Sequence, residues 1–146
     1  MRRLLSLLIL ILAAVAVGAS PGAETELAFR VIVHPEVEGT LVAREVLSSI
    51  FLGDEDRWAD GRPVAPVDQS LRSPVRAAFS ERVLGEPLDG VQALWARRIS
   101  QGLQPPMVRA SDEDVITYVA KTEGAVGYVS SDIALPPTVR ILSILY

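Results

Sequence analysis

The sequence predicts an α/β fold in which one mixed sheet of about four strands carries helices packed against it. Four short β-rich runs, beginning at Leu27, Val64, Ala125 and Val139, are interleaved with four stretches of helical periodicity. Two of those helical stretches follow one another before the third strand, and no glycine fingerprint is present, so a regular Rossmann unit is not expected. With an N-terminal leader set aside, roughly 120 residues remain, enough for one domain with one core and too few for two.

The leader is read from its own three parts. Arg2 and Arg3 precede an apolar run from Leu4 to Val17, and Val17-Gly18-Ala19 supplies the small residues of a cleavage site. A basic start, a short apolar stretch and a small-residue exit describe a secretory signal peptide over residues 1–19. The run falls short of the roughly 20 apolar residues a membrane span needs, so a retained anchor is the alternative. Cysteine is absent, which excludes a lipid-bearing N-terminal Cys, disulfides and thiolate metal sites. The expected location is the periplasm. Residues 20–26 (SPGAETE) read as a flexible linker, and 27–146 as the domain.

Without Arg2 and Arg3 the chain holds 12 basic residues against 18 acidic ones. An acidic protein with scattered Arg lacks the clustered positive charge that nucleic acid requires, so no nucleic-acid partner is expected.

The domain opens with a strand, Leu27 to Val33, ending at His34-Pro35. Val42, Val46, Leu47, Ile50 and Phe51 mark one face of a first helix, which Gly53 closes. Asp54 to Gly61 is a turn-rich loop carrying Trp58. A second strand, Val64 to Val67, runs into a polar loop, Asp68 to Arg72. Ser73-Pro74 then opens a helix with Val75, Ala78 and Phe79 on one face, Ser as cap and Pro at the first helical position. After the breaker Gly85-Glu86-Pro87, the residues Val91, Leu94, Trp95 and Ile99 predict a helix from about Leu88 to Ile99. Gly102 and Pro105-Pro106 exclude regular structure from Gln101 to Met107. Ser111 caps a fourth helix with acidic residues in its first turn and Val115 and Val119 buried. Ala125 to Val129 and Val139 to Leu145 complete the sheet.

Catalytic patterns are missing. The one His, His34, has no paired carboxylate or nucleophile in a recognised setting, and no P-loop, H-E-x-x-H or G-x-S-x-G occurs. Asp54, Asp56 and Asp60-Gly61 invite a calcium reading, but the third Asp falls at loop position 7 and Gly at 8, out of step with an EF-hand. No enzyme activity, cofactor or metal is expected. The joint around Ser73 is different. A helix start leaves backbone N–H groups and a positive dipole end facing the loop, here with Arg72 and Arg76 nearby, which is the recipe for an anion site. An ordinary strand–loop–helix joint would read the same way.

Several motifs in order carry a resemblance. Ile50-Phe51-Leu52-Gly53, then Trp58-Ala59-Asp60-Gly61-Arg62-Pro63-Val64 and Pro66-Val67, resemble the IF-x-G, W-x-D-G and P-V signature of phosphate-type substrate-binding proteins of ABC transporters. Ser73 to Phe79 stands where that family has its phosphate-gripping helix start. Trp95, Pro105-Pro106 and Thr122 to Val129 resemble its tail. The match covers nearly all of 27–146 and corresponds to one lobe of the full-length proteins, so it implies a single periplasmic-binding-protein-like lobe. It also implies phosphate or a similar oxyanion as ligand, held by Ser73, Val75, Arg76 and Arg72, and an ABC permease or another periplasmic or membrane protein as partner. The family loop Asp-Gly-Ser-Gly-Thr is replaced by Leu71-Arg72-Ser73-Pro74-Val75, and the second lobe is missing, so binding is expected to be weak. The alternative is a protein-interaction or adaptor domain derived from such a lobe, including pairing with a second copy as a homodimer.

Overall fold

The computed structural model describes residues 28–146. The expected leader, the linker and the first residue of the expected domain lie outside the described residues. No helix among the described residues is long and apolar enough to cross a membrane.

A five-stranded sheet organises the chain. Its strands are β1 (Phe29–Val33), β3 (Ala65–Gln69), β4 (Met107–Arg109), β5 (Ala125–Ser130) and β6 (Arg140–Ile141), in the spatial order β4-β3-β5-β1-β6. β3 runs parallel to both β4 and β5, while β1 is antiparallel to β5 and β6. A separate parallel pair joins β2 (Leu41–Ala43) to β7 (Ser143–Leu145). The helices are α1 (Arg44–Leu52), α2 (Pro74–Phe79) continued by a π-helical turn (Ser80–Leu84), α3 (Leu88–Ser100) and α4 (Asp112–Lys121).

Alternation along the strands sorts the core into two layers. Phe29, Val31 and Val33 of β1 and Val126 and Tyr128 of β5 face α1 and α2, meeting Leu47, Ile50, Phe51, Val75 and Phe79. Ile32, Ala125 and Val129 face the other way, toward Val115 and Val119 of α4. The sheet is therefore covered on both sides, which is why β5 reads as an unbroken buried run rather than an alternating one. Gly127 sits where α4 crosses β5. A Cβ there would stand 2.6 Å from Val67 Cγ1 and 2.8 Å from Val115 Cγ1, so Gly127→Ala is expected to cost about 1–3 kcal/mol through overpacking, measurable as a lowered urea midpoint.

Some boundaries differ from the sequence expectation. Val42 lies in β2, not in the first helix, and Val46 is 45 % exposed, because the buried face of α1 is set by Leu47, Ile50 and Phe51. Ile99 is 53 % exposed on the last turn of α3. Met107 to Arg109 form a strand where no regular structure was expected before Val108. That strand is only three residues long and owes its extended form to pairing with β3 at Val67, Asp68 and Gln69. The final run, Val139 to Leu145, divides between two sheets, with Leu142 at the switch donating its N–H to Val31 O.

The caps divide likewise. Ser111 Oγ accepts from Asp114 N at 3.1 Å, as its position predicts. Ser111→Ala should lower stability by about 1 kcal/mol, seen as a small fall in melting temperature. Ser73 precedes α2 with an extended backbone but makes no side-chain cap bond. Its hydroxyl instead donates to Gln69 Oε1 at 2.7 Å. Trp58 anchors its loop, donating Nε1–H to Gly124 O at 2.9 Å.

Candidate functional site

The carboxyl ends of three parallel strands meet on one side of the molecule. Gln69 ends β3, Arg109 ends β4 and Ser130 ends β5, while α2 and α4 begin beside them. In open α/β sheets the carboxyl ends of the strands are where ligands bind. A shallow depression of about 390 Å³ lies there, and Arg72, Ser73 and Val75 line it together with Ser70, Ser111 and Asp112. Three of the four residues singled out from the sequence are thus brought together.

The donors available are few. Pro74 has no N–H, and the Arg76 N–H is given to Ser73 O at 3.2 Å, so the start of α2 offers the Val75 N–H. The exposed Arg72 side chain supplies the positive charge. Opposite stands Asp112, whose carboxylate accepts from Gln69 Nε2 at 2.7 Å and from Ser130 N at 3.2 Å. The protein's own carboxylate therefore already occupies part of the positive potential of this surface. Asp112 reads in the sequence as a helix-start acid only; that a second Ser-led helix start, Ser111-Asp112, would face the first is decided by the parallel pairing of β3 and β4.

The structure sends the fourth residue elsewhere. Arg76 is the third residue of α2, and its side chain forms an ion pair with Asp68 at 2.9 Å, both side chains nearly nine-tenths buried. Its Nη1 also donates to Gln69 O at 2.8 Å. Asp68 in turn accepts from the Tyr128 hydroxyl. Burial raises the Asp68 pKa above its ordinary carboxylate value, and the Arg76 cation and the Tyr128 hydrogen bond work against that rise. Tyr128 is pushed far above the usual phenol range by burial and by the neighbouring carboxylate. Asp68 and Gln69 are buried residues of β3, not members of the polar loop that their type suggests. The sequence does hold a clue, since two polar residues continue an apolar strand without a break.

No family model matches the chain, and no curated protein matches it. Solved structures do. A protein from Clostridium perfringens, assigned as a phosphate ABC transporter substrate-binding protein and solved with bound phosphate, superposes with a TM-score of 0.64 and 16 % identity over 80 % of this chain and 44 % of its own. An ABC-type phosphate transport receptor from Vibrio cholerae gives 0.63 and 19 %, over 80 % and 46 %. PstS from Borrelia burgdorferi gives 0.63 and 18 %, over 80 % and 47 %. This chain spans less than half the length of each. What the superpositions establish is architecture: the chain has the fold of a single periplasmic-binding-protein-like lobe, as found within phosphate ABC transporter substrate-binding proteins.

Proposed function

We propose that the chain is an exported, non-enzymatic binding module that takes phosphate or a similar oxyanion weakly in the depression at the carboxyl ends of β3 and β5. The observation that carries this reading is the convergence of Arg72, Ser73 and the Val75 N–H on that surface. The shared fold, in one relative solved with phosphate, adds support. Three features favour low affinity. Arg76 is committed to Asp68, Asp112 contributes a like charge, and the shallow depression leaves the anion in contact with water, where charge-assisted bonds are weak. Delivery to an ABC permease or another periplasmic or membrane protein completes the reading, with export resting on the N-terminal leader.

Calorimetry with phosphate and with sulfate at low ionic strength tests it directly. The expected Kd is in the millimolar range, about −4 kcal/mol. Arg72→Ala should weaken binding severalfold, and Asp112→Asn should tighten it by removing the competing charge. An absence of heat at tens of millimolar of either anion, with Asp112→Asn equally silent, would remove the oxyanion role.

The alternative is a protein-interaction domain. It is favoured by the exposed apolar side chains along the free edge of β4, where Met107 and Val108 are each half exposed. Pairing of two copies belongs to this reading and is checked by sedimentation.

A further inference from the structure

A cleft larger than the anion depression lies at the other end of the sheet. It measures about 600 Å³ and takes in Ala65 and Pro66 at the amino end of β3 and Met107 at the amino end of β4. Trp95, Leu103 and the Pro105-Pro106 ridge form its apolar wall. Beyond the ridge a second depression of about 290 Å³ shares Trp95 and both prolines, and adds Ile99 and Val108. Ile99, Leu103, Met107 and Val108 are all exposed, so apolar side chains are presented along the free edge of the sheet, with Asp68, Gln92 and Arg76 beside them in the second depression. Exposed apolar surface rimmed by polar residues marks contact with a partner.

Two observations select the partner. The first is charge. Asp54, Glu55 and Asp56 form one lip of the large cleft; Asp54 is paired with Arg98 at 2.8 Å, but Glu55 and Asp56 make no ion pair among the described residues. An anionic membrane is disfavoured by that lip and a cation is favoured. The second is the main chain. Arg109 O accepts from Ser70 N and so points toward β3; by strand alternation the Val108 N–H and C=O point away from the sheet. Arg109 Nη1 covers the Val108 carbonyl at 3.1 Å, which leaves the N–H as a donor for an incoming extended chain. Added strands use such edges, with side-chain pockets supplying selectivity.

We propose that this face docks an extended, cationic and apolar segment of a partner polypeptide. A Lys or Arg of the segment meets Glu55 and Asp56, an apolar side chain lies against Trp95 and Met107, and a main-chain carbonyl accepts the Val108 N–H. The large cleft lies at the opposite end of the sheet from the anion depression, and the proposal does not rest on anion binding.

The test is a titration of the 15N-labelled protein with the peptide acetyl-KLKVLKL-amide, with acetyl-ELEVLEL-amide and spermidine as controls. The cationic peptide is expected to shift the Asp56, Met107, Val108 and Trp95 indole resonances, and the controls are not. Glu55→Gln combined with Asp56→Asn should raise the Kd about fivefold to tenfold with the fold unchanged, since neither side chain is in an ion pair among the described residues. Met107→Asp, on an exposed position, should abolish the shifts. Four results would overturn the proposal: no shifts at millimolar peptide, equal binding of the acidic peptide, the same shifts from spermidine alone, or shifts confined to Ser70 to Val75.

Discussion

Replacing Arg76 with Ala is expected to destabilise the fold by about 3–5 kcal/mol, the cost of leaving a buried carboxylate without its cation. The pair at 2.9 Å is shielded on both sides, and Asp68 keeps only the Tyr128 hydroxyl and the Gln69 N–H once the guanidinium is gone. The loss should depend on pH in a definite direction. Asp68 already has a folded-state pKa raised above the ordinary 3.8, so in the wild type its contribution falls as pH rises from that value through the raised one and is constant above it. Without Arg76 the folded value climbs further. The variant should therefore be least stable relative to wild type at neutral pH and recover part of the difference in acid, where Asp68 is protonated and no unpaired charge is buried. Urea denaturation of both proteins at several pH values measures this. A uniform loss across pH would mean that Arg76 acts through packing of its aliphatic stem. A loss below about 1 kcal/mol at neutral pH, the range of exposed pairs, would mean the pair is open to water.

Phe79→Ala should be comparably damaging, about 3–5 kcal/mol. Phe79 is buried and meets three other rings. It stacks on Tyr128 with centroids 3.9 Å apart, and meets Phe51 at 4.8 Å and Phe29 at 5.4 Å in edge contacts. Truncation empties the junction of α1, α2, β1 and β5 and releases the ring whose hydroxyl holds Asp68. Phe79→Leu keeps most of the volume and should lose much less. The pair of variants, compared by urea midpoint, separates cavity formation from the wider effect on the polar network. If both lost the same amount, the stacking on Tyr128 rather than the volume would be the larger contribution.

The two variants also show how far the residues could be read in order. Gly53 and Gly85, each with positive φ, end helical stretches where the sequence places breaks, and Ser111 caps α4 through its own hydroxyl. These are local matters, settled within a few residues. Arg76 is the opposite case. Its distance from Ser73 along the chain places it beside the helix start, which suggests an anion role. Its partner Asp68 is eight positions earlier, on a strand, and that strand is locked to Tyr128 sixty positions later. Only the folded sheet brings those three together, and it removes Arg76 from the surface in doing so. The Ser73 hydroxyl is diverted in the same way, toward the buried Gln69.

The sequence by itself determined the α/β class, the order of the main helices and strands, and the likeness to one lobe of phosphate-type binding proteins, because periodicity, breakers and ordered motifs are written in neighbouring residues. Tertiary structure alone decided that three residues from Met107 form an edge strand and that the last run divides between two sheets. It also decided that the charge beside the helix start is spent on a buried carboxylate while Asp112 faces the depression. Pairing and burial depend on contacts between distant segments, and no single stretch contains both partners.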